Sequence, residues 1–309
     1  MKKWQRLIIL VTLVALASVG CTSAPVSEEN GQYQVVATTT MLADLARVIG
    51  GDHVTVTGLM GPGIDPHLYS ASAGDVETIS SADLILYNGL QLEAKLGEVF
   101  SQMRSQNRKV VAVAEAMPES LFLESEEEDE IYDPHIWFDV QLWKLAAEAV
   151  RDALIDLDEA NADAYRENYE AYAVELDELH AYVLARAEEL PAASRVLITA
   201  HDAFAYFGEA YGFEVLGLQG ISTVSEAGTA DIRELADFIY ENQIKAIFIE
   251  SSVPTRSIEA VQEAVRSRGF ETAIGGELYS DSLGSAGTDA ATYIGTVRAN
   301  IDTIVDALK

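Results

Sequence analysis

Along most of the chain, short apolar runs alternate with longer stretches in which apolar residues recur every three or four positions. Residues 35–39, 54–59, 84–87 and 110–113 read as strands, the second by its period-two alternation. Between them, 41–49, 73–80 and 92–104 carry helical spacing. The same grammar returns after residue 190, with strands predicted at 195–199, 214–218, 246–250 and 272–274. Strands and helices in regular turn imply parallel sheets covered by helices. The two series therefore predict two α/β lobes, each a mostly parallel sheet flanked by helices.

Between the lobes, a helical region runs from Asp139 to Leu190 and is stopped by Pro191. From Ala160 to Leu190 there is no glycine or proline, and Tyr165, Tyr169, Tyr172, Leu176, Leu179, Val183 and Leu184 recur at spacings of three and four. That pattern predicts one long rigid helix, roughly 40 Å in length at about 1.5 Å per residue. The expected organisation is an amino-terminal lobe at 33–159, a linking helix at 160–190 and a carboxy-terminal lobe at 191–309. A strut of this kind predicts limited movement of one lobe against the other.

The start of the chain has a different pattern. Lys2, Lys3 and Arg6 precede an apolar run from Leu7 to Val19 broken only by Thr12 and Ser18, and Gly20-Cys21 follows. This reads as an export signal over 1–20, too short for a convincing membrane span of about 20 apolar residues. Cys21 is the only cysteine, so no disulfide can form within the chain. Ser18-Val19-Gly20-Cys21 resembles a bacterial lipobox, which makes Cys21 the expected lipidation site, although Ser18 stands where leucine is usual. Residues 21–32 read as a flexible tether. The expected location is the extracytoplasmic face of the cell membrane, or the periplasm.

Charge narrows the partners. The formal net charge is −30, which excludes nucleic acid as an expected ligand because phosphate backbones are bound by clustered lysine and arginine. An acidic surface concentrates cations. Its run from Glu124 to Glu130 is expected to be a solvated charge run, with weak cation collection as the alternative.

Five histidines occur, and two of them stand in identical tripeptides, Asp65-Pro66-His67 and Asp133-Pro134-His135. Proline fixes its own φ and holds the preceding residue extended, so each motif presents an imidazole at a set angle. His67, His135 and His201 all follow predicted strands, and ligands of open α/β sheets bind beyond strand carboxyl ends. A fourth donor is expected from the end of the last strand region, where Asp281 fits best. Asp231 and Asp289 read instead as helix-initiating residues, His180 as a solvated helix residue, and His53 as an exposed turn residue. Gly275-Gly276 reads as a turn.

Five segments, 35–39, 61–69, 133–139, 201–207 and 248–252, together resemble the solute-binding proteins of bacterial zinc and manganese ABC transporters, in order and over nearly all of the mature chain. The resemblance implies two lobes bridged by one long helix, with a metal between them held by His67, His135, His201 and Asp281. It also implies a monomer that delivers its cargo to a cognate permease and partner ATPase, and no enzymatic activity. Two departures are visible. Ser70-Ala71 follows Tyr69 where the family often has Glu-Pro, and the loop before the second motif is acidic rather than histidine-rich. Three imidazoles and a carboxylate predict Zn2+, with Mn2+ or Fe2+ as alternatives. Glu250 and Asp65 are candidates to orient the imidazoles. A surface zinc hydrolase or an adhesin lipoprotein is the alternative class. Four protein donors would leave no open position for catalytic water, and no His-Glu-x-x-His or Gly-x-Ser-x-Gly pattern occurs.

Overall fold

The computed structural model describes residues 32–125 and 131–309. The export signal, Cys21 and most of the tether lie outside the described residues, as do Glu126 to Glu130 of the acidic run.

In the amino-terminal lobe, β1 (Tyr33–Ala37), β2 (Val54–Gly58), β3 (Leu84–Tyr87) and β4 (Lys109–Ala112) form one parallel sheet in the order β2-β1-β3-β4. Its central strands are apolar because both faces are covered: Val35, Ala37, Leu84, Ile85 and Leu86 are fully buried. The first strand ends two residues before the sequence predicts. Thr38 turns its hydroxyl to the buried Glu93 carboxylate at 2.6 Å, and Thr39 caps the next helix by accepting the Leu42 N–H. Helices α1 (Thr40–Gly50), α2 (Ala73–Ser81) and α3 (Gly97–Ser105) complete this lobe.

The helical region is divided. Helix α4 (Val140–Leu157) is followed by a turn at Glu159–Asn161 and then by α5 (Ala162–Ala187), 26 residues or roughly 39 Å at about 1.5 Å per residue. Asp158 makes the break, accepting from Asn161 Nδ2 at 2.7 Å and from the Tyr165 hydroxyl at 2.9 Å. On α5, Tyr165, Tyr172, Leu176, Leu179 and Val183 form the buried seam, whereas Leu184 is exposed. His180 is half-buried, its Nδ1 at 3.2 Å from the Tyr211 hydroxyl, rather than solvated. His53 likewise is half-buried, edge-on to Tyr165, rather than exposed.

In the carboxy-terminal lobe, β5 (Val196–His201) pairs in parallel with β6 (Glu214–Gln219), and β7 (Ala246–Glu250) with β8 (Ala273–Leu278). β5 lies beside β7, and α6 (Ala205–Tyr211), α7 (Thr229–Asn242), α8 (Arg256–Ser267) and α9 (Tyr293–Leu308) surround them. Gly275-Gly276 lies inside β8 and is not a turn. A Cβ at Gly275 would stand 2.7 Å from Phe248 and 2.8 Å from Ala307, so the missing side chain lets α9 approach the strand. Gly276 has φ +149° and lies where the β7–β8 register is irregular. We expect Gly275→Ala to destabilise the fold by about 1–3 kcal/mol through overpacking, read as a lower denaturant midpoint at unchanged slope.

One core cluster runs from Val35, Leu45 and Trp143 through Leu176 and Leu179 to Phe204, Phe248, Tyr293 and Ile301. It therefore joins both lobes through α4, α5 and α9. Separate clusters cover the far face of each lobe. Interiors packed in this way resist continuous deformation.

Candidate metal centre

Loops at the carboxyl ends of β2 and β4 carry the two Asp-Pro-His motifs, and both fold by the same device. In each, the aspartate Oδ1 accepts the histidine backbone N–H at 2.8 Å, spanning the proline that has no N–H of its own. The second motif goes further, because Asp133 Oδ1 also lies 2.6 Å from His135 Nδ1. The Pro134 carbonyl accepts from Asn88 Nδ2 at 3.0 Å, anchoring that loop to the end of β3.

Across the cleft, His201 is the last residue of β5, and Glu250 ends the neighbouring β7. The glutamate grips His201 twice, through the backbone N–H at 2.8 Å and ring Nδ1 at 2.5 Å. Asp281 lies just past the end of β8. The structure brings His67, His135, His201 and Asp281 together: one ligand-type atom of each lies within 4.8 Å of all the others. They are 4%, 0%, 0% and 1% exposed, so the donors are shielded from bulk water.

With Nδ1 of His135 and His201 held by carboxylates, each ring turns Nε2 toward the centre. His67 Nε2 stands 3.3 Å from His135 Nε2. The two oxygens of Asp281 face different imidazoles, Oδ1 at 3.5 Å from His135 Nε2 and Oδ2 at 3.4 Å from His201 Nε2. The latter approach is out of hydrogen-bond alignment, and both His201 Nε2 and Asp281 Oδ1 are buried without a hydrogen-bond partner. Buried polar atoms left unsatisfied cost free energy that a cation between them would offset.

Electrostatics sharpen the contrast among the ligands. Burial depresses the His67 pKa to about 3, with Asp281 only partly opposing it. Burial also works against charge on His135 and His201, but Asp133 with Asp281 raises the first, and Glu250 with Asp281 raises the second well above 6.5. For Asp281, burial is outweighed by the three imidazoles, His201 foremost, which hold the carboxyl well below the usual range.

Of the two expected orienting carboxylates, Glu250 reaches a ring and Asp65 does not. Asp65 Oδ2 instead accepts the Thr223 hydroxyl at 2.6 Å, tying the His67 loop to the loop after β6. Sequence reasoning missed Asp133, although its place two residues before His135 was the available sign. Asp231 accepts the Gly228 N–H at 2.7 Å in a helix cap, and Asp289 opens a turn at Asp289–Ala291.

Residues 35–307 match the family described as ZnuA, zinc-uptake complex component A, periplasmic. The chain belongs to this component A family. It is 54% identical over 279 residues to the zinc-binding protein TroA of Treponema pallidum (strain Nichols), covering 90% of each chain. It is 46% identical over 306 residues to the manganese-binding lipoprotein MntA of Bacillus subtilis (strain 168), covering 99% of each. The solved structure of the periplasmic zinc-binding protein TroA from Treponema pallidum superposes with a TM-score of 0.87, over 90% of this chain and 99% of that one. These component A relatives are named for metal binding, and one is named a zinc binder while another is named a manganese binder. Among the described residues, no helix is long and apolar enough to cross a membrane.

Proposed function

We propose that this protein is the cation-capturing subunit of an ABC importer, taking a divalent metal from the external medium and handing it to a membrane permease driven by a partner ATPase. The observation that carries this reading is the convergence of three buried imidazoles and one buried carboxylate, with His201 Nε2 and Asp281 Oδ1 left without partners. His67, His135, His201 and Asp281 are the proposed ligands. Asp133 and Glu250 fix the Nδ1–H tautomers of their histidines and raise ligand basicity. Four protein donors close a tetrahedral shell and leave no position for catalytic water, which favours carriage over catalysis. The protein acts as a monomer, with Cys21 as its lipid anchor to the extracytoplasmic face of the membrane.

Zinc is the preferred cargo in this proposal. A tetrahedral site with Zn–N of about 2.0–2.1 Å has donor–donor edges of roughly 3.3–3.4 Å. The 3.3 Å between His67 Nε2 and His135 Nε2 matches that edge, while Asp281 reaches His135 and His201 through different oxygens and offers either one as the fourth donor. Manganese favours more oxygen donors and six-fold coordination, which this nitrogen-rich set supplies poorly. Elemental analysis of the purified protein, followed by competition between the two ions, tests the assignment. Zinc should displace bound manganese at equal concentration. Manganese displacing zinc would reverse it.

A further inference from the structure

The peptide that presents Asp281 is gripped by two side chains outside the four-donor set. Trp137, from the amino-terminal lobe, donates its indole N–H to the Ser280 carbonyl at 2.9 Å, 143 positions away in sequence. Asn300, on α9, accepts the Tyr279 N–H at 2.9 Å and donates to the Tyr279 carbonyl at 2.7 Å, so one amide holds both faces of a single residue. Trp137 and Asn300 are 3% and 4% exposed, so no water competes readily for these bonds. The Trp137 ring also packs edge-on to His135 at 5.2 Å between centroids. One indole therefore references a ligand of the first lobe and the backbone of a ligand from the second. Past Asp281 the grip continues, with Ser282 Oγ accepting from Gly63 N–H and Leu283 N–H donating to Thr40 Oγ1, both at 2.8 Å.

We propose that Trp137 and Asn300 are positioning residues that set where the Asp281 carboxylate stands, and through it the preference of the site for a small four-coordinate cation over a larger six-coordinate one. The inference rests on the metal-capture reading above. Asp281 is the donor whose two oxygens separate His135 from His201. Letting its peptide slide widens the cage and admits water oxygens, which serve manganese better than zinc. A carboxylate held by its own backbone cannot relax in that way. Nothing in the bonding of Trp137 or Asn300 requires either to touch the ion.

The test uses Trp137→Phe, which keeps an aromatic ring and loses the donor, and Asn300→Ala, each alone and combined with Asp281→Ala. Zinc and manganese affinities are measured on the full exported chain by competition with a chelating dye, and Co2+ absorption reports coordination geometry. Each single variant should lose roughly 10- to 100-fold in zinc affinity, in line with other outer partners of metal ligands, with a smaller loss for manganese. Tetrahedral Co2+ absorption should weaken. Asp281→Ala should cost far less in either background than in the parent, whereas His67→Ala, at a ligand that touches neither Trp137 nor Asn300, should cost the same in both. Equal losses for both metals, or an Asp281→Ala penalty unchanged by the first substitution, overturns the proposal. If Trp137→Phe does not fold, Asn300→Ala carries the same comparison. A parent protein that binds neither ion instead overturns the capture reading beneath it.

Discussion

Replacing His201 with alanine removes the metal-dependent rise in melting temperature. A ligand that binds only the folded state stabilises it by about 4.1 kcal/mol when its free concentration is about 1,000 times Kd. For a chain of this size, each kcal/mol moves the melting temperature by about 2 °C, so saturating zinc should raise the parent by roughly 8 °C. His201 ends a fully buried strand and is fixed at both its backbone and its ring by Glu250, so no neighbouring side chain can take its place. The substitution should lower affinity by at least roughly 100-fold, beyond the range typical of outer partners alone. It also strips the buried Glu250 carboxylate of its ring partner, leaving only the backbone N–H, which lowers the metal-free melting temperature too. The quantity to compare is therefore the shift on adding zinc, by calorimetry with and without metal. His180→Ala provides the control, because that ring bonds only the Tyr211 hydroxyl and lies outside the cluster. A His201→Ala protein that still gained the parental shift would remove His201 from the ligand set.

The clustering of the candidate ligands was legible where the sequence carried a local device. The Asp-Pro-His repeat announces itself because proline limits the backbone and aspartate closes the turn onto the histidine N–H, and both steps act within three residues. His201 was legible because a buried apolar strand runs directly into it. Partners set by tertiary packing were not legible. Asp133 occupies the same place in its motif as Asp65, yet one carboxylate orients a ring and the other binds Thr223 across the cleft. Local sequence cannot decide between those outcomes.

The same division applies to the fold. Alternating apolar runs predicted the parallel strands because parallel sheets are covered on both faces. Gly275-Gly276 reads locally as a turn, and only the approach of Phe248 and Ala307 makes it a strand interior. His180 and His53 read as solvated for a similar reason, since Tyr211 and Tyr165 reach them from elsewhere in the fold. The long helix was visible from its unbroken spacing, but its start depended on Asp158 capturing Tyr165 and Asn161.

Zinc affinity should fall by up to two decades per pH unit on acidification, and by no more than two. Metal needs the Nε2 lone pair of each imidazole, so every ring protonated in the metal-free protein must release a proton on binding. His201 and His135 have raised pKa values in the metal-free fold, and each contributes one decade per unit below its own value. His67, held near 3, stays neutral over the working range and contributes none. For the metal-free fold the sign is opposite: with folded pKa values above 6.5, the two raised histidines add stability that is fully present below the unfolded value and is lost as pH rises through the folded ones. His67 works the other way, because the unfolded chain protonates a ring that the fold keeps neutral, so its contribution is lost as pH falls below the unfolded value. Mild acid therefore discharges the ion through His201 and His135, while His67 limits how much acid the empty fold tolerates. Titration calorimetry in buffers of different ionisation enthalpy counts the protons released, and competition assays from pH 5 to pH 8 give the slope, with roughly that range bracketing the imidazole region. A limiting slope of three would mean that His67 also protonates, and a slope of zero would mean that neither carboxylate-paired histidine carries a proton to lose.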